Sequence, residues 1–238
     1  MPRKPQQMPF DLGHASGYAP EDFRRSPCNR EAADWIDKWP DWPAPALIIY
    51  GPPASGKTHL AHIWRAKAKA VILSAAKDLG SIGEGEDPSA TPQDDTSFII
   101  DGVEKFIGNV AQEEKLFHLY NTLKETGGHM LITAETPPRE WPFVLADLKS
   151  RLLAAPSVAL QSPDDELMAI VLSKMFSDRQ IFVPQEVIAF ILPRMQRSFA
   201  AARDLADKID RKALAEKRPV TVPLVRDVMQ EGAGELPL

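Results

Sequence analysis

Leu47-Ile-Ile-Tyr-Gly51-Pro-Pro-Ala-Ser-Gly56-Lys57-Thr58 reads as an apolar strand that runs into G-x-x-x-x-G-K-T and leaves through a helical pattern, His59 to Ala68. The spacing has a mechanism. Gly51 and Gly56 let the intervening Pro52, Pro53, Ala54 and Ser55 turn so tightly that successive backbone N–H groups point inward at phosphate oxygens. Lys57 reaches the β- and γ-phosphates, Thr58 offers a hydroxyl to Mg²⁺, and the helix opening at His59 adds the positive end of its dipole. A strand before and a helix after separate such a loop from an ordinary Gly/Pro turn. The segment 51–59 therefore predicts a site for ADP or ATP with Mg²⁺.

A second motif follows at Phe98-Ile99-Ile100-Asp101, where apolar residues bury a strand and leave a carboxylate at its tip for the Mg²⁺ shell. In an active ATPase of this kind the next residue is usually Glu or Asp, which polarises the attacking water. Here it is Gly102, so self-catalysed hydrolysis is expected to be slow or absent. Glu104 is close enough in sequence to be considered as a substitute.

Outward from these motifs, apolar β-rich runs alternate with helical patterns, which argues a three-layer α/β domain with a parallel sheet. The predicted strands are Ala46–Tyr50, Ala70–Ser74, Ser97–Asp101, His129–Thr133 and Ser157–Leu160. Asn29 is placed to cap a helix over Arg30–Trp39, and Glu113–Glu125 carries an apolar face for the sheet. The polar stretch between Ala75 and Thr96 reads as a surface loop. After Leu160 only helical spacing remains, with Pro163, Pro184 and Pro223 at or near helix starts. The expected organisation is an N-terminal tail over 1–19, a nucleotide-binding α/β domain over 20–161 and a small all-α lid over 162–238.

Composition narrows the classes further. The 238 residues carry a net charge of −5 and a single cysteine, Cys28. No run of 18 apolar residues suggests a membrane span, a disulfide framework is excluded, and a cytoplasmic protein is the simplest reading. The acidic balance gives no sign of direct nucleic-acid binding. The five tryptophans lack interleaved basic residues, and Trp35 and Trp39 have core spacing. The five histidines form no ligand cluster.

Several segments together resemble AAA+ ATPases of the DnaA type, over about residues 20 to 230 by motif placement. Phe23-Arg-Arg-Ser-Pro-Cys-Asn29 is similar to the N-linker, which in that family borders the adenine. Leu131-Ile-Thr133-Ala-Glu135-Thr-Pro-Pro138 is similar to the sensor 1 segment, with Thr133 and Glu135 both candidates and a plain strand cap the alternative. Asp147-Leu-Lys-Ser-Arg151-Leu resembles the arginine-finger motif, in which the Arg faces a neighbouring subunit's ATP; a surface Arg in a helical ion pair is the alternative. Arg197-Ser-Phe199 is similar to the sensor 2 turn, with Arg194 and Arg203 as competing choices. The resemblance thus implies nucleotide-binding roles for Phe23, Asn29, His59, Thr133, Glu135 and Arg197 beside the phosphate loop.

The chain ends at Leu238 without the helix-turn-helix domain of the initiators. It begins with Gln7-Met8-Pro9-Phe10-Asp11-Leu12, similar to the sliding-clamp-binding motif of Hda-type regulators, DnaA-related factors that switch off ATP-bound DnaA. Gln7 would make polar anchoring bonds while Met8, Phe10 and Leu12 enter an apolar groove. The same alternation also fits an edge strand packed on its own domain. The resemblance implies the polymerase sliding clamp and DnaA as partners, DNA only through the clamp, and leaves a head-to-tail homodimer open. A DnaC-like helicase loader and an autonomous P-loop ATPase or kinase are the competing readings. Loaders usually carry a larger N-terminal domain, and a kinase needs a catalytic carboxylate.

Overall fold

The computed structural model describes residues 23–73 and 97–233. The apolar run that leads into Gly51 forms β1 (Ala46–Tyr50), followed by β2 (Val71–Leu73), β3 (Ser97–Ile100), β4 (His129–Ala134) and β5 (Ser157–Ala159). All pair in parallel, in the order β2-β3-β4-β1-β5. Parallel strands need long crossovers, and these supply the helices on both faces. α1 (Arg30–Asp37) precedes β1, and the crossover helices are α2 (Lys57–Ala68), α3 (Val110–Thr126) and α4 (Ala146–Ala154).

The period of two along each strand sorts the core. Ala46 and Ile48 of β1, Ile100 of β3 and Met130 and Ile132 of β4 point to one face, where Leu116, Tyr120 and Leu123 of α3 and Leu148 and Leu152 of α4 cover them. Leu47, Ile49, Ile99 and Leu131 point to the other and meet Ala33 and Ile36 of α1 and Leu60, Ala61 and Trp64 of α2. Burial on both faces is why β1 reads as an unbroken apolar run rather than an alternating one. Trp42 stacks on Trp64 with centroids 5.3 Å apart, and His129, at the start of β4, lies edge-on to Trp39 and Trp42.

Beyond β5 come only helices among the described residues: α5 (Asp165–Asp178), α6 (Gln185–Ile191), α7 (Phe199–Glu216) and α8 (Val222–Ala233). They close a separate apolar cluster around Met168, Leu172, Phe176, Ile191, Ala206 and Leu224. Asp164 caps α5 through Leu167 N–H, and Ser198 caps α7 through Ala201 N–H. Among the described residues no helix is long and apolar enough to cross a membrane.

Two local expectations are revised, and one segment without a predicted element is a helix. The helix after the phosphate loop begins at Lys57, not His59, so Lys57 and Thr58 occupy its first turn. Asn29 stands at the N-cap of α1 but makes no capping bond, because its side chain turns back to Ser26 N–H and the Arg24 carbonyl. The segment around Arg151 is a nine-residue helix, α4. Gln7, Met8, Phe10, Leu12 and the 75–96 stretch lie outside the described residues.

Candidate functional site

All five strands end on the same edge of the sheet, and the phosphate loop leaves that edge from β1. Gly51 is rooted there by its N–H, which donates to the Ala134 carbonyl at the end of β4 (3.1 Å), while Leu160 N–H donates to the Tyr50 carbonyl (2.6 Å). A Cβ on Gly51 would lie 2.1 Å from the Leu160 carbonyl oxygen, so only glycine lets β1 and the segment after β5 approach this closely. Pro52, Pro53 and Ala54 are exposed on the loop's outer side, and Ser55 is buried beneath them. The Ser55 hydroxyl has no partner among the described residues, an unsatisfied buried oxygen inside a loop whose sequence anticipates phosphate. Lys57 donates from Nζ to the Gly51 and Pro52 carbonyls, both at 2.7 Å, which places the ammonium inside the loop. Burial pushes the Lys57 ammonium below its ordinary value, and the negative charges of Glu135, Glu104 and Asp101 oppose that shift. Thr58, next in α2, is exposed beside it.

Those carboxylates come from two adjacent strand ends. Thr133, buried on β4, donates from Oγ1 to Asp101 Oδ1 (2.8 Å) and accepts from Gly102 N–H (3.0 Å). Thr133 therefore fixes the orientation of Asp101 and the start of the following turn together. Gly102 sits at φ +71°, a left-handed conformation that side chains adopt with difficulty. It lets the chain fold back so that the Glu104 carboxylate accepts from Glu135 N–H. Glu104 Oε2 lies 3.9 Å from where a Cβ on residue 102 would stand. Asp101, Thr133, Glu104 and Glu135 form one acidic rim facing Lys57.

The N-linker and the helical region complete the surroundings. Phe23 stands edge-on to His59 of α2 at 5.5 Å. Asn29 is buried and braces the linker, and the carbonyl of Cys28 accepts from Gln161 N–H (3.1 Å), joining the linker to the segment that leads into α5. From the start of α7, Phe199 N–H donates to the Ala54 carbonyl (3.5 Å), and the Phe199 ring lies 3.3 Å from where a Cβ on Gly56 would be. Of the three sensor 2 candidates, Arg197 is nearest this contact in sequence and pairs with Asp165 of α5 at 3.1 Å. Arg194 donates to the Phe190 carbonyl and lies over its ring. Arg203 is exposed on α7.

Arg151 belongs to none of this. It lies on α4, on the sheet face opposite α2, with its guanidinium 4.6 Å from the Phe117 ring centroid and 5.6 Å from that of Tyr120, donating to Asn121 Oδ1. Sequence reasoning also passed over Glu113. Its carboxylate is fully buried and accepts from Gly108 N–H (2.8 Å), Val144 N–H (3.0 Å to each oxygen) and Leu145 N–H (2.6 Å). The available signal was a Glu on the same helical stripe as Phe117 and Tyr120, which were assigned to the packed face.

A P-loop on β1, an Asp on β3, a polar side chain on the intervening β4 and a helical region resting on the loop define an AAA+ module with a lid. Domain III of the DnaA replication initiation protein from Thermotoga maritima has this fold, with a TM-score of 0.75 at 22% identity over 91% of this chain and 97% of that one. AMPPCP-bound DnaA from Aquifex aeolicus aligns with a TM-score of 0.73 at 17% identity, over 92% of this chain and 71% of that one. The RuvB Holliday junction branch migration motor of Thermotoga maritima gives 0.61 at 18% identity, covering 78% and 61%. Residues 164–229 match the family model described as "Hda, lid domain". Over residues 164–229 the chain thus resembles an Hda lid, and as a whole it has the fold of DnaA domain III.

Proposed function

We propose that this protein is a nucleotide-binding regulator of replication initiation that inactivates DnaA by supplying Arg151 to the ATP held on DnaA. The observation that carries this reading is the opposition between the two halves of the site. The loop offers donors suited to phosphate, yet Gly102 directly follows Asp101 and Glu104 is bonded to Glu135 N–H, while the chain's finger-motif arginine lies on the far face from its own loop. ADP or ATP would fit residues 51–59: Lys57 and the Ser55 hydroxyl, unpartnered among the described residues, are donors of the kind phosphate oxygens need. AMPPCP on the Aquifex aeolicus relative supports an adenine nucleotide. Phe23, Asn29 and His59 would border the base, and Arg197 would reach the nucleotide from the lid. Thr58 and Asp101 would hold Mg²⁺, which neutralises phosphate charge when bound.

The 20–161 unit carries the nucleotide and the 162–238 unit acts as its lid. The tail residues Gln7, Met8, Phe10 and Leu12 would tether the protein to the sliding clamp, so that DNA is reached through the clamp and the action confined to the replicated chromosome in the cytoplasm. An arginine supplied in trans offsets charge on the transferring phosphoryl group and is worth about 10³–10⁵ in rate in phosphoryl-transfer systems. The test is decay of labelled ATP on DnaA with clamp-loaded DNA. Arg151→Ala should retain ADP and clamp binding and lose the stimulation, and Arg151→Lys should recover little, because an ammonium lacks the planar fork of donors. Full stimulation by Arg151→Ala would refute the proposal.

A further inference from the structure

One face of α3 holds α4 at two points. Glu113, Phe117 and Asn121 follow one another at intervals of four residues, and Tyr120 lies three after Phe117, so they share one side of the helix. At its N-terminal end the buried Glu113 carboxylate accepts from the N–H of Leu145, the N-cap of α4, and from that of Val144 just before it. Leu145, in the N-cap position, has no side-chain acceptor of its own, so the distant carboxylate does the capping. In the middle Leu148 and Leu152 bury α4 in the core that Leu116 shares. At the other end the guanidinium of Arg151 rests on Phe117 and Tyr120 and spends one Nη1 donor on Asn121.

The tether is partial in a way that matters. A guanidinium has five N–H donors in a rigid fork, and the structure gives Arg151 one side-chain acceptor, with the residue only half-buried. The aromatic rings restrict the plane of the fork, and among the described residues Asn121 is its one side-chain acceptor. That is the arrangement expected of a cation held in place for an outside anion rather than consumed in an internal ion pair.

We infer that Glu113 and Asn121 are positioning residues for Arg151, Glu113 by fixing the start of α4 and Asn121 by fixing the guanidinium. The inference rests on the reading that Arg151 acts on a partner's nucleotide. Misplacing a catalytic cation by about 1 Å costs up to about a hundredfold in rate without weakening partner binding. Asn121 is half-buried at the surface of α3, so Asn121→Ala removes the acceptor without opening the core. Glu113→Gln keeps the shape and loses the charge that three N–H groups share.

The experiment uses the full chain, clamp-loaded DNA and ATP-bound DnaA, and separates the maximal stimulated rate from the protein concentration giving half of it. Asn121→Ala is expected to lower the maximal rate about tenfold or more at an unchanged half-saturating concentration, and folded Glu113→Gln to do the same. Adding Asn121→Ala to Arg151→Ala should then change nothing further, since the effect passes through the arginine. A partner-free readout is Tyr120, one of three tyrosines. Burial raises its phenol and the Arg151 charge opposes this, so a guanidinium loosened by Asn121→Ala should let the Tyr120 titration move up. If Arg151→Ala abolishes stimulation while Asn121→Ala leaves both the maximal rate and Tyr120 unchanged, the positioning inference is wrong and the finger reading stands. If Arg151→Ala stimulates normally, the finger reading itself has failed.

Discussion

Replacing Gly51 with alanine tests how tightly the phosphate loop is built into the sheet. The added Cβ would meet the Leu160 carbonyl oxygen at 2.1 Å, whereas real Cβ atoms essentially never come within 3.0 Å, so backbone must part from backbone by about 0.9 Å. Both sides are held. Leu160 N–H is bonded to Tyr50 and Gly51 N–H to Ala134, so the displacement strains two buried hydrogen bonds at the exit of β1. Leaving such groups unsatisfied costs about 1–3 kcal/mol each, and overpacking a close contact costs a similar amount. A loss of about 3–5 kcal/mol is expected on those grounds, a large part of the stability of an ordinary domain. The loop that carries Lys57 moves with its root, so nucleotide affinity should fall as well. Urea unfolding followed by the fluorescence of the Trp39, Trp42 and Trp64 cluster gives the first quantity, and titration of a fluorescent ADP analogue the second. A variant within about 0.5 kcal/mol of the parent that binds the analogue normally would refute the close-approach argument.

Lys57→Ala should abolish binding of the same analogue, because the loop loses its point charge; unchanged affinity would make the loop decorative. The unmodified protein should bind nucleotide but turn over ATP far below about 1 per second. Gly102→Asp, whose Cβ would meet the flexible end of Lys105 at 3.3 Å and Glu104 Oε2 at 3.9 Å, should raise that rate in a phosphate-release assay. It should also lose some stability to the left-handed φ of +71°, which Asp tolerates better than most residues. Replacing Gln7, Met8, Phe10 and Leu12 with alanine should eliminate capture on immobilised clamp while the melting temperature barely moves; retained capture with collapsed stability would point to an edge strand. Burial lowers the folded-state pKa of His129 below its ordinary 6.5, with a bond to the Pro40 carbonyl opposing the shift. Its stability contribution is therefore complete above pH 6.5 and is lost as pH falls from there through the folded-state value. His129→Leu should flatten the fall in melting temperature between pH 7.5 and 5.5, roughly the window in which an imidazole charges.

Much of the α/β layer was legible because its strands are buried on both faces. Ala46–Tyr50 and Ser97–Ile100 are unbroken apolar runs with turn residues after them, a pattern that no neighbouring helix imitates. The run 146–154 was harder. It buries only Leu148 and Leu152, and its N-terminus is capped by Glu113 from 32 residues upstream of Leu145, so no local signal announces the helix. Asn29 has the right residue type for a cap, but the linker offers closer partners and wins its side chain. Gly51 was legible as necessary for a different reason than the structure gives: a tight turn was inferred, and a backbone contact with Leu160 is what excludes a side chain. Asp101 and Thr133 were each visible as strand-end residues, but their hydrogen bond depends on β3 and β4 being neighbours, which sequence order does not reveal.

The contact of Phe199 with the loop makes the lid and the phosphate site two readers of one equilibrium. The Ala54 carbonyl is on the loop, and its donor is the first residue of α7. Any ligand that shifts residues 54–56 must alter the free energy of the lid's seating by some amount, and whatever seats the lid must alter affinity for that ligand by the same amount. The adjacent Arg197–Asp165 pair lies within the lid, where α5 and α7 share one apolar cluster. If the loop holds a nucleotide as proposed, a macromolecule that grips the lid, many ångströms from the phosphates, would thereby hold a thermodynamic handle on its release.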